Sequence, residues 1–274
     1  MTTTIRAAAT PPRTGAPRAG ARPFGLARHS LSLAGRSLIK TLRTPEQLLD
    51  VTLQPIVFVV IFVYLLGGAI SGSQHAYLEF LLPAIMVQTV LFASVATGVS
   101  LNTDIEKGVF DRFRSLPIAR SAPLVGSVVG DLVRFVVCIT VLFAFGYAIG
   151  FRIGTDPLST LAACLLTIAF AFAVSWIGVL LGVLMRSPGA VQGTAFLVLF
   201  PLTFGTDMMA PSDTMPGWLQ WWVGVNPVAD VMAAARGLII GGPVAGPVTR
   251  SLLWTVAIIA VCAPLAVRAY RRRA

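Results

Sequence analysis

The sequence predicts an all-α integral membrane protein with six transmembrane helices, and three observations support that class. Only 12% of its 274 residues are charged and 56% are hydrophobic, whereas a soluble domain carries about 25% charged residues. Several uncharged stretches are long enough to cross a bilayer as helices. The cations lie between these stretches instead of clustering on one face. Too few residues remain outside the stretches to form a separate soluble catalytic domain.

The N-terminal segment divides into two parts. Residues 1–23 are mostly Thr, Ala, Pro, Gly and Arg, which offer little to bury, so we expect a disordered tail. In residues 24–44, Ala and Leu recur at helical spacing and basic residues fall on the opposite side. This pattern predicts an amphipathic helix in the membrane interface, with its basic side chains toward anionic headgroups. A surface helix packed on protein is the alternative.

Six apolar stretches follow within one domain, residues 45–274. Nineteen helical residues rise about 28 Å, which is enough to cross the hydrocarbon core. Spans three and six are the weakest, because their uncharged runs have only 17 residues. The predicted spans are residues 52–70, 80–102, 128–150, 158–185, 188–206 and 250–268.

The positions of lysine and arginine predict the orientation. The segment before span one, the loops after spans two and four, and the C-terminus together hold 17 cations, against 3 in the other loops. The positive-inside rule then places both termini in the cytoplasm, with the chain crossing the membrane several times. The net charge of +10 does not indicate nucleic-acid binding, since that requires cations gathered on one face of a folded domain.

The external segment, residues 207–249, is apolar but contains five prolines. Trp218, Trp221 and Trp222 suit the membrane–water interface. Asn226 followed by Pro227 is typical of a helix start. We therefore expect short re-entrant helices that pack on protein or line a cavity, and we predict that the three tryptophans form an external gate.

Motifs for catalysis and for energy supply are not evident. Ile39 stands before Lys40 where a P-loop has its second glycine, and a side chain there would obstruct the backbone cradle for phosphate. The histidines, acidic residues and three cysteines show no metal-ligand spacing. We therefore expect no catalytic residue, metal or cofactor in this chain.

Two charged residues fall inside span three. Asp131 and Arg134 are three positions apart, so they can pair on one helix face. Proton-coupled carriers place carboxylates within the bilayer, but here only Glu79 and Asp131 approach that depth, both toward span ends. We favour a structural ion pair, with a transport role as the alternative.

The internal loop at residues 103–120 combines dense charge with apolar residues. Val109, Phe113 and Leu116 share one face at helical spacing. A loop that only reverses the chain needs no phenylalanine pair. The pattern predicts a short amphipathic helix that docks on a partner, or one that lies against the bilayer.

Within that loop, the run EKGVFDRFRSLPIAR closely resembles the intracellular coupling loop of the daunorubicin/doxorubicin-resistance type of ABC exporter permease. LRTPEQLLDVTLQP, FPLTF, TMPGWLQ and NPV…ARGL also look like that family. The similarity runs from about residue 40 to the C-terminus. It implies a type-2 ABC exporter fold of six helices, with an interfacial N-terminal helix and re-entrant external helices before the last span.

The resemblance also implies a transport subunit and not an enzyme. ATP and Mg²⁺ would be bound by a separate ATPase chain, and the permease would pair with a second copy or with a related permease. The cargo would be a hydrophobic or amphipathic drug, natural product or lipid, as in drug efflux and antibiotic resistance. The implied ATPase-coupling residues are Glu106, Gly108, Phe110, Asp111, Arg112, Phe113 and Arg114.

Spans one, two and five offer aromatic surface with little charge, and we predict that part of it lines a substrate path. Helix packing or lipid contact is the alternative for each ring. An ion-coupled carrier and a membrane-embedded lipid-modifying enzyme are the competing functions, but internal repeats, midplane carboxylates and a catalytic cluster are not evident. The candidate path residues are Phe58, Phe62, Phe92, Phe196 and Phe204.

Overall fold

The computed structural model describes residues 45–108 and 122–273, which form a bundle of helices without strands. The predicted tail, the predicted interfacial helix and most of the predicted coupling loop lie outside these residues. The helices are α1 (Pro45–Ser71), α2 (Gln74–Glu106), α3 (Ala122–Ala148), α4 (Pro157–Leu184), α5 (Pro188–Phe204), α6 (Gly217–Val225), α7 (Pro227–Ile240) and α8 (Ala245–Arg273), with one 3-10 turn at Ser212–Thr214.

The predicted all-α membrane class is confirmed. Within the described ranges, five helices are long and apolar enough to cross a membrane, namely α1, α2, α3, α4 and α8. Helix α5, which corresponds to the fifth predicted span, is apolar but has only 17 residues, or about 26 Å. Helices α6 and α7 meet at an angle of 79° and would add a sixth span if counted as one broken segment.

Several helices continue beyond the predicted spans. Helix α2 has 33 residues and a length of about 50 Å, although its predicted span was residues 80–102. Its start is capped by Ser73, whose hydroxyl accepts a hydrogen bond of 3.2 Å from the Ala76 N–H. Helix α3 begins at Ala122, six residues before the predicted span, and α8 begins at Ala245. Hydropathy reports only the length that lies in hydrocarbon, whereas helical hydrogen bonding continues into the headgroup region.

Helix α2 is the central helix of the bundle, buried along most of its length from Tyr77 to Asn102. It contacts α1, α3, α4, α5 and α7. Its backbone touches that of α4, because a Cβ atom on Gly98 would overlap the carbonyl of Gly178, and one on Gly182 would lie 2.5 Å from the Gly98 oxygen. Small residues at such a crossing allow close helix packing in membranes, as the Gly178/Gly182 spacing suggests.

The two ends of the bundle are fixed by different contacts. At one end, the Asn102 side-chain amide donates to the carbonyls of Gly182 (2.8 Å) and Met185 (3.0 Å), where α4 ends. We call this the Glu106 end, after the last residue of α2. At the other end, the Tyr77 hydroxyl donates to the Met209 carbonyl at 2.9 Å, and we call this the Met209 end.

Candidate functional site

A cleft of about 490 Å³ lies between α1, α2, α3 and α5. This volume is within the range of small-molecule sites, which is roughly 300–1,000 Å³. Helix α2 supplies its floor, because Gln88, Phe92, Val95 and Val99 recur three and four residues apart and so share one face. That face runs about 17 Å along α2. The adjacent Ala96 leaves room where a larger side chain would close the cleft.

Three of the five predicted path residues line the cleft, namely Phe58 on α1, Phe92 on α2 and Phe196 on α5. The ring centroids of Phe92 and Phe196 are 5.9 Å apart. Phe62 and Phe204 do not line the cleft, but both rings contact Phe58, with centroids 5.5 Å and 6.3 Å away. The structure therefore brings all five predicted rings into one neighbourhood.

A sixth ring, Phe200, was missed by the sequence reasoning. It lies 4.5 Å from Phe204 and 5.3 Å from Phe196, measured between ring centroids. The signal was present, because positions 196, 200 and 204 are spaced at one helical turn. With it, six rings form a continuous chain of contacts that we call the phenylalanine series, in the order Phe62, Phe58, Phe204, Phe200, Phe196 and Phe92.

The sequence reasoning also missed the polar side of the cleft. Gln54, Gln88 and Gln192 are the three glutamines that fall inside predicted spans, and all three line the cleft. Thr89 and Ser100 add hydroxyl groups. An amide within an apolar span is costly unless it finds a partner or water. The presence of three such residues was therefore a usable signal for a polar cavity.

A buried ion pair forms one wall of the cleft. Arg134, which lines the cleft, lies 2.7 Å from the Asp131 carboxylate, measured from Nη2 to Oδ1. The same Nη2 donates to the Ala93 carbonyl at 2.7 Å, and the Thr97 hydroxyl donates to Asp131. The pair predicted from the three-residue spacing is thus present, and it joins α3 to α2. Because α3 begins at Ala122, Arg134 lies about 18 Å along the helix from its start.

The predicted gate residues lie on α6 at the Met209 end. Trp218 and Trp221 are 72% and 69% exposed, as expected for rings at a membrane–water interface. Trp222 is half-buried, and its indole nitrogen would lie 2.7 Å from a Cβ atom placed on Gly205. The close packing at Gly205 connects α6 to the end of α5. A gating role for the three tryptophans stays a prediction.

Asn226 holds the break between α6 and α7. Its side-chain oxygen accepts from the Val228 N–H at 3.0 Å, which confirms the predicted helix start at Pro227. Its amide nitrogen donates to the carbonyls of Leu202 (2.8 Å) and Gly205 (3.0 Å). One buried amide therefore caps α7 and satisfies two carbonyls at the end of α5.

An ionic clamp at the Met209 end was also not predicted. Arg236 on α7 pairs with Asp207 at 2.7 Å and donates to the Phe80 carbonyl at 3.2 Å. Its guanidinium also lies 3.9 Å from the centroid of the Phe80 ring, a cation–π contact. The clamp ties α7 and the segment after α5 to the start of α2.

Only two of the seven predicted coupling residues lie in the described ranges. Glu106 ends α2, and Gly108 adopts φ +65°, a left-handed conformation that favours glycine just after a helix. The Gly108 N–H donates to the Ile105 carbonyl at 3.1 Å. The other five residues lie outside the described ranges, and docking of the ATPase on this loop stays a prediction.

Three aspartates among the described residues are paired with arginines. Within residues 45–108 and 122–273, no group of three histidine, cysteine, aspartate or glutamate side chains is placed to hold a metal ion. The Asp131, Asp207 and Asp230 carboxylates each form an ion pair of 2.7 Å with an arginine.

Comparison with known proteins gives the family. The profile of the ABC-2 type transporter family matches residues 29–240. The daunorubicin resistance ABC transporter permease protein DrrB1 of Streptomyces coeruleorubidus is 41% identical over 257 residues, which cover 93% of this chain and 91% of the relative. A probable doxorubicin resistance ABC transporter permease protein, DrrC of Mycobacterium tuberculosis, is 28% identical over 80% of this chain and 79% of its own length.

A more distant relative, the putative transport permease ycf38 of Cyanophora paradoxa, is 27% identical over 75% of this chain and 72% of its own length. The match to the family profile covers well over half of the chain, and each of the three relatives is named as a permease. The predicted resemblance is therefore confirmed. The chain belongs to the ABC-2 type transporter family and is a multi-pass membrane permease.

Proposed function

We propose that this chain is the permease subunit of an exporter that moves a hydrophobic or amphipathic substrate out of a bacterial cell. The observation that carries the proposal is the cleft of about 490 Å³ among the membrane helices, lined by Phe58, Phe92 and Phe196 together with polar side chains. The names of two relatives, which refer to daunorubicin and doxorubicin resistance, support a drug or a related natural product as cargo, and hence a role in drug efflux.

The energy for transport comes from ATP hydrolysis on a separate ATPase chain, which binds ATP and Mg²⁺. Family membership supports this assignment. The ATPase docks on the coupling loop, residues 103–120, which begins where α2 ends at Glu106. The permease works as a dimer, either with a second copy or with a related permease.

The substrate path begins in the cleft and follows the phenylalanine series toward the Met209 end. Ser100 lines the cleft six residues before Glu106, about 9 Å along α2, so the cleft reaches toward the proposed ATPase. Phe204, the last residue of α5, is where the series comes nearest to the tryptophans of α6. The tryptophans and the ionic clamp of Arg236 close this end until the helices rearrange.

Purification from native membranes tests this proposal. We expect a tagged chain to recover an ABC ATPase in near-stoichiometric amount, and inverted vesicles that contain the complex to accumulate a hydrophobic dye such as Nile red only when ATP is supplied. Recovery of the chain without any ATPase, at an expression level that shows intact protein, would overturn the proposal.

The orientation is tested separately. Single cysteines replacing Ser73 and Ser212, in a variant without the native cysteines, should react with an impermeant reagent added outside intact cells. A cysteine replacing Ser115 should react only after the membrane is opened, because the 17-to-3 division of cations places that loop inside. Labelling at position 115 in intact cells would reverse the orientation and remove the basis for ATPase docking.

A further inference from the structure

Asn102 joins the ends of two helices at the Glu106 end of the bundle. It lies one turn before Glu106 on α2 and is only 1% exposed. Its amide nitrogen donates to the carbonyls of Gly182 and Met185, at 2.8 Å and 3.0 Å. Both carbonyls lie at the end of α4, where a helix has no further backbone donors for them. A side chain of α2 therefore completes the end of α4.

The Asn102 side chain is oriented by α4 alone among the described residues. Its amide nitrogen bonds only to α4, and its Oδ1 is buried without a hydrogen-bond partner in the described part of the chain. Leu101, next to Asn102, and Val183, next to Gly182, belong to one apolar cluster. Hydrogen bonds in such surroundings are stronger than in water, so the link resists separation of the two helix ends.

The backbones of α2 and α4 touch one turn before this link. Gly98 lies four residues before Asn102, and a Cβ atom on Gly98 would overlap the Gly178 carbonyl. A Cβ atom on Gly182 would lie 2.5 Å from the Gly98 oxygen. No side chain therefore lies between the helices that could give way at this crossing. The two helix ends can slide past each other only if the Asn102 hydrogen bonds break.

The end of α4 leads directly into the start of α5. Three residues separate the two helices, and the Ser187 hydroxyl caps α5 by accepting from the Ala190 N–H at 3.3 Å. Gln192 and Phe196, in the first turns of α5, line the cleft. A displacement of the end of α4 therefore carries one wall of the cleft with it.

The opposite wall of the cleft, α1, has no comparable link. The described side chains of α1, residues 53–71, form no hydrogen bond with α2, α4 or α5, and they pack through apolar groups such as Val59 and Val63. A two-residue connection joins α1 to α2 at the Met209 end. Toward the Glu106 end, the cleft separates Gln54 of α1 from Ser100 of α2. The width of the cleft there depends on how the two walls are placed.

We propose that Asn102 is a positioning residue that transmits movement from the ATPase-docking loop to the cleft. It rests on the proposed function, since the docking loop, residues 103–120, begins directly after Asn102. When the ATPase displaces this loop, α2 carries the end of α4 and the start of α5 with it through the Asn102 amide. The α5 wall then moves relative to α1, and the width of the cleft changes with each ATP cycle.

Asn102→Leu removes both donated hydrogen bonds but keeps a side chain of similar size. The tagged variant is purified with its ATPase, and ATP hydrolysis and Nile red accumulation are measured on the same inverted vesicles at matched amounts of folded complex. We expect ATPase recovery and ATP hydrolysis to stay within about twofold of the unaltered chain. The ratio of dye transported to ATP hydrolysed should fall roughly tenfold, as loss of about one net hydrogen bond between the coupled elements would give.

A second variant and a matched control isolate the link. Asn102→Ser places a hydroxyl that can bond to a carbonyl of α2 itself, so it removes the link without burying an unpaired group, and it should lower the ratio in the same way. Thr167→Val is the control, because the buried Thr167 hydroxyl donates to the Ala163 carbonyl of its own helix, α4, at 2.9 Å. It loses one buried hydrogen bond but no link between helices, so its ratio should match that of the unaltered chain.

A purely structural role for Asn102 predicts a lower yield of folded complex with an unchanged ratio. That result, an equal fall of the ratio in Thr167→Val, or no folded complex from either Asn102 variant would each overturn the role in transmission. The unaltered chain separates this outcome from a failure of the proposed function. If the unaltered chain recovers no ATPase or accumulates no dye, the proposed function fails. If it does both and the Asn102 variants keep its ratio, only the role of Asn102 fails.

Discussion

The cleft and the Met209 end both place polar side chains among apolar helices, but they satisfy those side chains differently. At the Met209 end, Tyr77, Asn226 and Arg236 are each hydrogen-bonded to a backbone carbonyl. In the cleft, Gln54 and Gln88 have no hydrogen-bond partner among the described residues, and neither amide is a buried unpartnered group, so both are open to the cleft. A polar group with protein partners holds helices together, whereas one that faces an open cleft is available to water or to a ligand. We therefore assign a structural role to the polar groups of the Met209 end and keep the cleft as the proposed ligand site.

The ion pair between Asp131 and Arg134 combines the two features, because it is buried and paired while the Arg134 side chain also lines the cleft. Removing one partner of a buried pair strands the other charge and costs about 3–5 kcal/mol. Arg134→Ala should therefore sharply reduce the yield of folded protein, measured by size-exclusion chromatography of a fluorescent fusion.

The double variant Asp131→Asn/Arg134→Gln keeps polar groups without stranding a charge, so it should recover most of that yield. Equal losses in the single and double variants would mean that the individual charges, and not their pairing, support the fold.

The comparison extends to the coupling loop, which begins at the Glu106 end. If Phe113 anchors this loop in a groove of the ATPase, Phe113→Ala should cost roughly 2–4 kcal/mol of binding, whereas the rim charge Lys107 should matter less. Recovery of the ATPase by tagged Phe113→Ala and Lys107→Ala chains at matched expression measures the difference. Equal and undiminished recovery would favour a loop that lies against the bilayer.

One face of helix α2 lines the cleft, and another packs closely on α4 at Gly98. Substitution of Gly98 tests the packed face. Gly98→Ala should destabilise the bundle by about 1–3 kcal/mol, as overpacking does, because the new methyl group overlaps the Gly178 carbonyl. Gly68→Ala, in α1, is the matched control, since nothing lies within 4 Å of its added Cβ atom. A lower melting temperature for the control than for Gly98→Ala would contradict the close α2–α4 contact.

The sequence predicted the membrane class, the helix start at Pro227 and the Asp131–Arg134 pair, because each depends on local properties. Hydropathy marks the spans, three-residue spacing marks the pair, and the helix start at Pro227 follows from Asn226 before it. These features are set within one helix or one turn. The structure therefore had little freedom to place them elsewhere.

The cleft itself was not predictable in the same way. Gln54, Gln88 and Gln192 are 34 and 104 residues apart along the chain, and each is unremarkable alone. Their convergence depends on how α1, α2 and α5 rotate about their own axes, which is decided by packing against all neighbours. The clamp between Asp207 and Arg236 was missed for the same reason.

Two substitutions test most directly whether the cleft serves a ligand while the Met209 end stabilises the bundle. They are Gln88→Leu in the cleft and Asn226→Leu at the Met209 end. Replacing the Gln88 amide removes no hydrogen bond within the described part of the bundle, whereas replacing Asn226 leaves the Leu202 and Gly205 carbonyls without their donor, at a cost of about 1–3 kcal/mol. Melting temperature and ATP-dependent Nile red accumulation are measured on both variants at equal amounts of folded protein. We predict that Gln88→Leu keeps or raises the melting temperature and loses most transport, while Asn226→Leu lowers the melting temperature. A Gln88→Leu variant that is destabilised but transports normally would contradict the assignment of the cleft as the functional site.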